Sequence, residues 1–468
     1  MSDNSATFTH GSTLKHVVVM TSTAAIGLMT LFIVDLVDMF FLSLLGEVEL
    51  AAAIGYAGTI LFFTTAVSIG IAIATGALVS RSIGADNEKQ ARKYAINVMV
   101  FGVITASCLS TAIWLNISFF LEALGATGVT KTFASDYLKI IIPSMAILTI
   151  AMSASGVLRA TGDAKRAMLA TVIGGLVNLV LDPIFIFVLD MGVKGAAYAS
   201  VASRIAVACF ALHACIKVHA LIGRWQLKQF LIDLPNIIKI AIPSMLTNVA
   251  TPIGNAYVMA TIASFGDSAV AGMSIIGRLI PVAFGIVFAL SGAVGPIVGQ
   301  NFGANHMDRV KQTLIDAIKF ATLVVSSVCL ILFLSQDMII GVFKVSGDAA
   351  QLISLFSTWI AFTFLFNGFL FIANAAFNNL GYPHYSTAFN FLKATLGTIP
   401  FVYIGAKVAQ QSGALIGQGI GSIIVGCLAL YLCFKVVDNI QNTGGKPPRP
   451  HHNFHLRFPR WALSNTRG

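Results

Sequence analysis

Val79-Ser80-Arg81-Ser82-Ile83-Gly84-Ala85 reads against Val298-Gly299-Gln300-Asn301-Phe302-Gly303-Ala304, and Gly84 and Gly303 stand 219 residues apart. Leu158-Arg159-Ala160-Thr161-Gly162-Asp163 reads against Phe377-Asn378-Asn379-Leu380-Gly381-Tyr382 at the same offset. Gly46 with Leu50-Ala51-Ala52 matches Gly266 with Val270-Ala271-Gly272 at 220, and Cys209 and Cys215 match Cys427 and Cys433 at 218. Landmarks that keep their order and nearly their offset describe a duplicated unit. In membranes, such duplications build proteins whose halves rock against each other around a site between them.

The membrane follows from composition. The apolar share is 57% and the charged share 10%, whereas a soluble domain carries about 25% charged residues. Apolar runs long enough to cross about 30 Å of hydrocarbon recur along the whole chain. Twelve are read, at roughly 15–44, 50–79, 94–119, 137–158, 168–189, 196–217, 239–263, 269–298, 313–335, 352–379, 385–406 and 413–436. The expected fold is an all-α polytopic membrane protein with twelve transmembrane helices in two pseudo-symmetric six-helix lobes, at 14–218 and 238–438. Residues 219–237, with Arg224, Trp225, Lys228, Phe230 and Leu231, read as a helix lying in the cytoplasmic interface. Residues 439–468 read as a basic cytoplasmic tail, in which His451, His452 and His455 are expected to be solvated rather than metal-bound.

Charge sets the orientation. With both termini in the cytoplasm, 21 of the 29 Lys and Arg fall on the cytoplasmic side. Lys131, Lys139, Lys194, Lys344 and Lys407 fall outside, and Arg204, Arg278 and Lys393 lie within spans. This is a strong positive-inside bias. The net charge of +10 therefore points to anionic lipid headgroups, not nucleic acid. The first apolar run is too long for a cleavable signal, and residues 1–13 lack a basic region. The six cysteines all lie in spans with no CxxC pair, so they read as small core residues.

Charges within the hydrocarbon are costly and are the place to look for function. Asp35 lies in helix one, and Asn178 and Asp182 lie four apart in helix five and share a face. Two acids close together in low dielectric resist both being ionised, which suits them to taking and releasing a proton. Asp38 is a turn from Asp35 and nearer the outer surface, as a supporting group. Arg204, Arg278 and Lys393 are candidate counter-charges or snorkelling residues. The second lobe lacks matching acids, because Asp35 corresponds to Asn255 and Asp182 to Phe401. Coupling to an ion is thus expected in the first lobe alone. No HExxH, Walker or GxSxG motif occurs, which excludes the corresponding enzymes and ATP hydrolysis by this chain.

Several landmarks together resemble the MATE family (multidrug and toxic compound extrusion) over about residues 14–436. They are the Gly46…Leu50-Ala51-Ala52 turn, the Arg81…Gly84 turn, the Leu158–Lys165 loop and Gly195-Ala196-Ala197-Tyr198-Ala199-Ser200. The resemblance implies a V-shaped central cavity between the lobes and cation-coupled export of amphipathic, often cationic compounds. Asp35, Asn178 and Asp182 resemble the DinF-type branch, in which first-lobe acids handle the coupling ion. That branch adds Tyr137 and Ser200 as hydrogen-bonding positions, Ser200 standing where the family often has Thr. The NorM-type branch places acids in helices seven and ten, but here helix seven has none and the helix-ten position is Asn367.

The expected function is proton-coupled antiport of drugs across the bacterial inner membrane by alternating access, by a monomer without a cofactor. Sodium is the alternative ion, since the same oxygen-bearing side chains also suit it. The rival within the superfamily is a lipid-linked saccharide flippase, which needs several cavity cations to hold pyrophosphate. Only Arg204, Arg278 and Lys393 are on offer here.

Overall fold

The computed structural model describes residues 6–45 and 48–444, and every regular element among them is helical. In hydrocarbon each backbone N–H and C=O must be paired within the protein, and a helix achieves this inside one segment. Helices one to three are Thr13–Ser43, Val48–Gly84 and Glu88–Leu115. Helix four is broken into Gly128–Ile141 and Met145–Thr161 by a 3-10 turn, Ile142–Ser144, at Pro143, which has no N–H to donate. Helices five and six are Ala164–Pro183 and Gly192–His213, each ending in a wider π turn.

The second lobe repeats the plan. Helices seven to nine are Leu227–Ala263, Asp267–Gly303 and Met307–Phe343. Helix ten is again in two pieces, Gly347–Thr358 and Phe364–Leu380, around a 3-10 turn at Ile360–Thr363. Helix eleven starts as Pro383–Ala394 and resumes within Ile399–Asn442, which leaves helical geometry at Ala409 and Gln410; its remainder is helix twelve. Eleven stretches are long and apolar enough to cross a membrane, the last of them, Pro383–Asn442, being this broken pair taken together. The twelve expected spans are therefore present.

The duplication reaches single backbone angles. Left-handed residues occur in pairs 219 apart: Asp86 (φ 54°) with Asn305 (61°), Gly125 (90°) with Lys344 (50°), Gly128 (56°) with Gly347 (59°), and Gly162 (90°) with Gly381 (95°). Gly162 and Gly381 end helices four and ten, where a left-handed residue lets the last carbonyls find donors. After Gly162, Asp163 caps helix five by accepting from the Arg166 backbone N–H at 3.1 Å. Burial works against its ionisation, but hydrogen bonds from His219 and from the Arg166 side chain and backbone outweigh it and hold the carboxyl at about 2.

The connection between lobes differs from the expectation. No separate interfacial helix spans 219–237; the chain is non-helical from 219 to 226, and Leu227 opens helix seven itself. Part of its apolar surface is taken up by protein, while Trp225, Leu227, Leu231 and Ile232 stay exposed. Leu221 is fully buried in the first lobe, and Phe230 packs beside Trp225. Asp233, 2% exposed, accepts from Asn97 Nδ2 at 2.8 Å and Gln90 Nε2 at 3.1 Å. The Gly46 landmark and tail residues 445–468, with their histidines, lie outside the described residues.

The lobes join at the amino-terminal end. A Cβ on Gly84 would lie 2.0 Å from the Gln300 carbonyl oxygen, and one on Gly303 would lie 2.1 Å from that of Arg81. The two pseudo-equivalent glycines thus let helices two and eight cross backbone on backbone. Arg81 donates to the carbonyls of Asn379 (2.5 Å) and Asn378 (2.6 Å). The turn Thr7–Thr9 is wedged beside this crossing, with Phe8 2% exposed. The Phe8 N–H donates to Gln300 Oε1 at 2.8 Å, and its carbonyl accepts from Asn301 Nδ2 at 3.1 Å and Arg309 Nη2 at 2.8 Å. Thr13 Oγ1 donates to Asp316 Oδ2 at 2.5 Å. Residues that begin the first lobe are thereby clasped by the second.

Nearer mid-helix, Gly70 meets Met245 and Gly285 meets Met29. Among the described residues, the hydrogen bonds named here between lobes all lie on the amino-terminal side of those contacts. Beyond them Leu36, Phe62, Ile253 and Val282 are exposed.

Candidate functional site

Small residues bring helix one against helix five. Gly27 faces Thr171, and a Cβ on Gly175 would lie 2.8 Å from Thr30 Cγ2 and 3.1 Å from Val34 Cγ2. Further along this seam, helix one presents Asp38 to Asp182. The two carboxyls are within hydrogen-bond reach of each other. Asp182 is fully buried, and no donor among the described residues reaches its Oδ2. Asn178 is 3% exposed and sits beside both acids. Its Nδ2 is 3.5 Å from Asp182 Oδ1; with the amide turned over, its nitrogen donates to the Asp38 oxygens at 3.0 and 3.2 Å.

Helices four and six close the other side. The Tyr137 hydroxyl lies near Ser200 and within electrostatic range of Arg204, Asp38 and Asp182. The break in helix four leaves the Ile141 carbonyl to side chains, and both Ser144 Oγ (2.7 Å) and Arg204 Nη1 (3.2 Å) donate to it. Arg204 Nη1 also donates to Ser144 Oγ at 2.6 Å. Arg204 is thus fixed by neutral acceptors beside the acids rather than by an ion pair.

Asp38, Asp182, Asn178, Tyr137, Ser200 and Arg204 are thereby gathered in one lobe. Asp35 is set apart: it is exposed, and its charged neighbour is Asp38, not Asp182. Sequence reading singled out both acids of helix one but placed Asp38 toward the surface. Only the level at which helix one crosses helix five, set by Gly175 against Thr30 and Val34, decides which acid meets Asp182.

In the second lobe Asn255 is exposed, and Phe401, the counterpart of Asp182, is partly buried. Lys393 Nζ donates to Asn367 Oδ1. Arg278 is exposed. Neither Arg278 nor Lys393 makes an ion pair among the described residues. No group of three or more His, Cys, Asp or Glu able to hold a metal ion occurs among the described residues.

The first-lobe cluster has a definite chemical capacity. Ionised carboxylates only accept, so two carboxyl oxygens can bond to each other only when one carries a proton. Asn178, with a donor at one end of its amide and an acceptor at the other, can face either acid in either state. Nothing in the cluster supplies a nucleophile with an adjacent base.

A family model described as MatE matches residues 24–184 and 243–404, one segment in each lobe. A FAD transporter from Shewanella oneidensis is 25% identical over 424 residues, covering 89% of this chain and 94% of the relative. The multidrug export protein MepA of Staphylococcus aureus is 24% identical over 425 residues, covering 89% and 92%. The crystal structure of a Vibrio cholerae MATE transporter, VcmN, superposes with a TM-score of 0.87 at 24% identity, covering 93% of this chain and 99% of that one.

Proposed function

Since the chain belongs to the MatE family and is a multi-pass membrane transporter rather than an enzyme, we propose that it is a proton-coupled antiporter of the bacterial inner membrane. It exports amphipathic, often cationic compounds, acts as a monomer with both termini in the cytoplasm, and rests its basic rim on anionic lipid. The observation that carries this reading is the Asp38–Asp182 carboxyl contact, with Asn178 beside both acids, inside otherwise apolar helices.

The cycle follows from the chemistry of the pair. From the outer side a proton joins the acids, the Asp38–Asp182 hydrogen bond forms, and substrate leaves the first lobe. On the cytoplasmic side the proton departs, the two negative charges repel, and a cationic substrate restores balance. Asp35, one turn away on helix one, extends the acidic path. One proton for one monovalent cation is electroneutral and draws on the pH gradient alone; a second proton would add a net inward charge, for which a membrane potential of about 150 mV supplies about 3.5 kcal/mol, enough for an approximately 300-fold substrate gradient. The acids of the first lobe favour organic cations there over a dinucleotide's diphosphate. This supports drug export, the activity named for MepA, over the cargo named for the Shewanella relative.

The test is transport of a cationic dye in proteoliposomes under a pH gradient or a sodium gradient, each imposed alone. We expect the pH gradient to drive transport and sodium to have no effect. Sodium-driven transport without a pH gradient would overturn the proton reading and leave the acids as a sodium site.

A further inference from the structure

The two lobes carry opposite charge at comparable places. Helix five holds Asp182 with Asn178, and its counterpart by the duplication is helix eleven. There the charged residue is Lys393, 219 residues beyond Gly174 and so one turn before the Asn178 level. Lys393 donates to Asn367 Oδ1. No carboxylate pairs with it among the described residues. The acids of helices eight to ten, Asp267, Asp308, Asp316, Asp337 and Asp348, lie near helix ends or are bonded elsewhere, Asp316 to Thr13 and Gln312.

An ammonium held in this way has donors to spare. Lys393 has three, and Asn367 occupies one. Because the Asn367 oxygen accepts from Lys393, its amide nitrogen is left free to donate as well. Asn367 is buried, at 7% exposed, and Lys393 is only partly buried, so any access to the pair is from the Lys393 side. Around it runs a seam of amides and hydroxyls without an acid. Asn390 and Thr398 are buried on the same chain segment and donate to the Ser386 and Lys393 carbonyls, which leaves Lys393 Nζ and Asn367 Nδ2 as the donors on offer. A cation in a low-dielectric lobe without its counter-charge is costly, and an incoming anion offsets that cost.

We propose that Lys393 and Asn367 form an anion subsite that takes the carboxylate or phosphate of an exported compound, so that the protein favours zwitterionic amphiphiles. This rests on the export reading above, and extends it from organic cations to molecules with an acidic group as well. The cationic end lies toward the first-lobe acids, and the anionic end accepts from Lys393 Nζ and Asn367 Nδ2.

The test uses a matched pair of dyes, rhodamine B, a zwitterion, and its ethyl ester, a cation. Both are measured for binding to the purified protein and for uptake into proteoliposomes. The variants are Lys393→Gln, Lys393→Arg and Asn367→Leu. Lys393→Gln is expected to weaken rhodamine B binding at least tenfold and to leave the ester within twofold. Lys393→Arg should retain most of the preference, and Asn367→Leu should lose part of it. Equal losses for both dyes, or none for rhodamine B, would overturn the subsite. Vesicles with and without phosphatidylglycerol separate the other source of phosphate. If Lys393→Gln matters only when that lipid is present, a lipid headgroup is the occupant and the substrate subsite is wrong. Failure of the wild type to transport either dye, with rhodamine B binding still dependent on Lys393, would count against the export reading and for the subsite.

Discussion

Asp182 is a buried acid whose nearest charged partner is another acid, and much of the chemistry turns on that contact. A carboxamide keeps the shape and hydrogen bonding of the carboxyl but cannot carry the proton. We therefore expect Asp38→Asn and Asp182→Asn each to lower pH-driven dye transport by at least about tenfold, with expression preserved. Well-expressed Asp182→Asn with full pH-driven transport would remove the proton role from the pair. At this scale the sequence was legible in part. Acids are rare in hydrocarbon, so Asp35, Asp38 and Asp182 stand out against Leu, Ile and Val. Which two of them meet was not legible, because Asp35 and Asp38 share nearly the same helix face and differ by one turn in depth. Tyr137 and Ser200, like Arg204 and Ser144, lie on different helices, and helical periodicity within one span does not report on such contacts. The resemblance, not the periodicity, pointed to Tyr137 and Ser200.

Spans were the easiest elements to read, since apolar length is set by bilayer thickness. Their interruptions were harder. Pro143 marks the break in helix four, but helix ten breaks at Ile360–Thr363 with no proline. The linker was misread because its mixed apolar and basic residues continue straight into helix seven, which begins at Leu227, with Leu221 and Phe230 buried and Leu227, Leu231 and Ile232 exposed. Two tests belong to this scale. The crossing of helices two and eight has no room for a side chain at Gly84, where a Cβ would lie 2.0 Å from the Gln300 carbonyl oxygen. We expect Gly84→Val to force the amino-terminal ends of the lobes apart, seen as a longer spin-label distance between helices three and nine; an unchanged distance would show that the crossing is not so tight. Asp163 tests the helix four–five corner. Its carboxyl is held at about 2, below the ordinary carboxylate value of 3.8, so its contribution is full above pH 3.8 and is lost as the pH falls through 2. Asp163→Asn should lower the melting temperature at neutral pH, and the gap to wild type should persist down to about pH 4. A gap that closes well above that would assign Asp163 no such role.

For the whole molecule, an acid–acid contact present in the first lobe, with Asn255 and Phe401 at the positions matching Asp35 and Asp182, implies an asymmetric response. Distances within the first lobe, measured by spin labels at about pH 5 and about pH 8, should change, while those within the second should stay fixed. Asp182→Asn should abolish the change; an equal response in both lobes would count against a first-lobe engine. The amino-terminal clasp has a consequence of another kind, in how the protein is made. Phe8 bonds to Gln300 across 292 residues of chain, and synthesis proceeds from the amino end. Thr7–Thr9 therefore emerges from the ribosome well before its partners and finds them only after helix eight is complete. With the amino terminus on the cytoplasmic side, as proposed above, these residues would wait there until then, open to any protease. Nascent chains arrested before residue 300 should be clipped at the amino end, and chains long enough to release Arg309 from the insertion machinery should become resistant. Joining the first few residues to the second lobe is thus among the last steps of assembly, and a chain that stalls partway carries an exposed amino end as a mark of incompleteness.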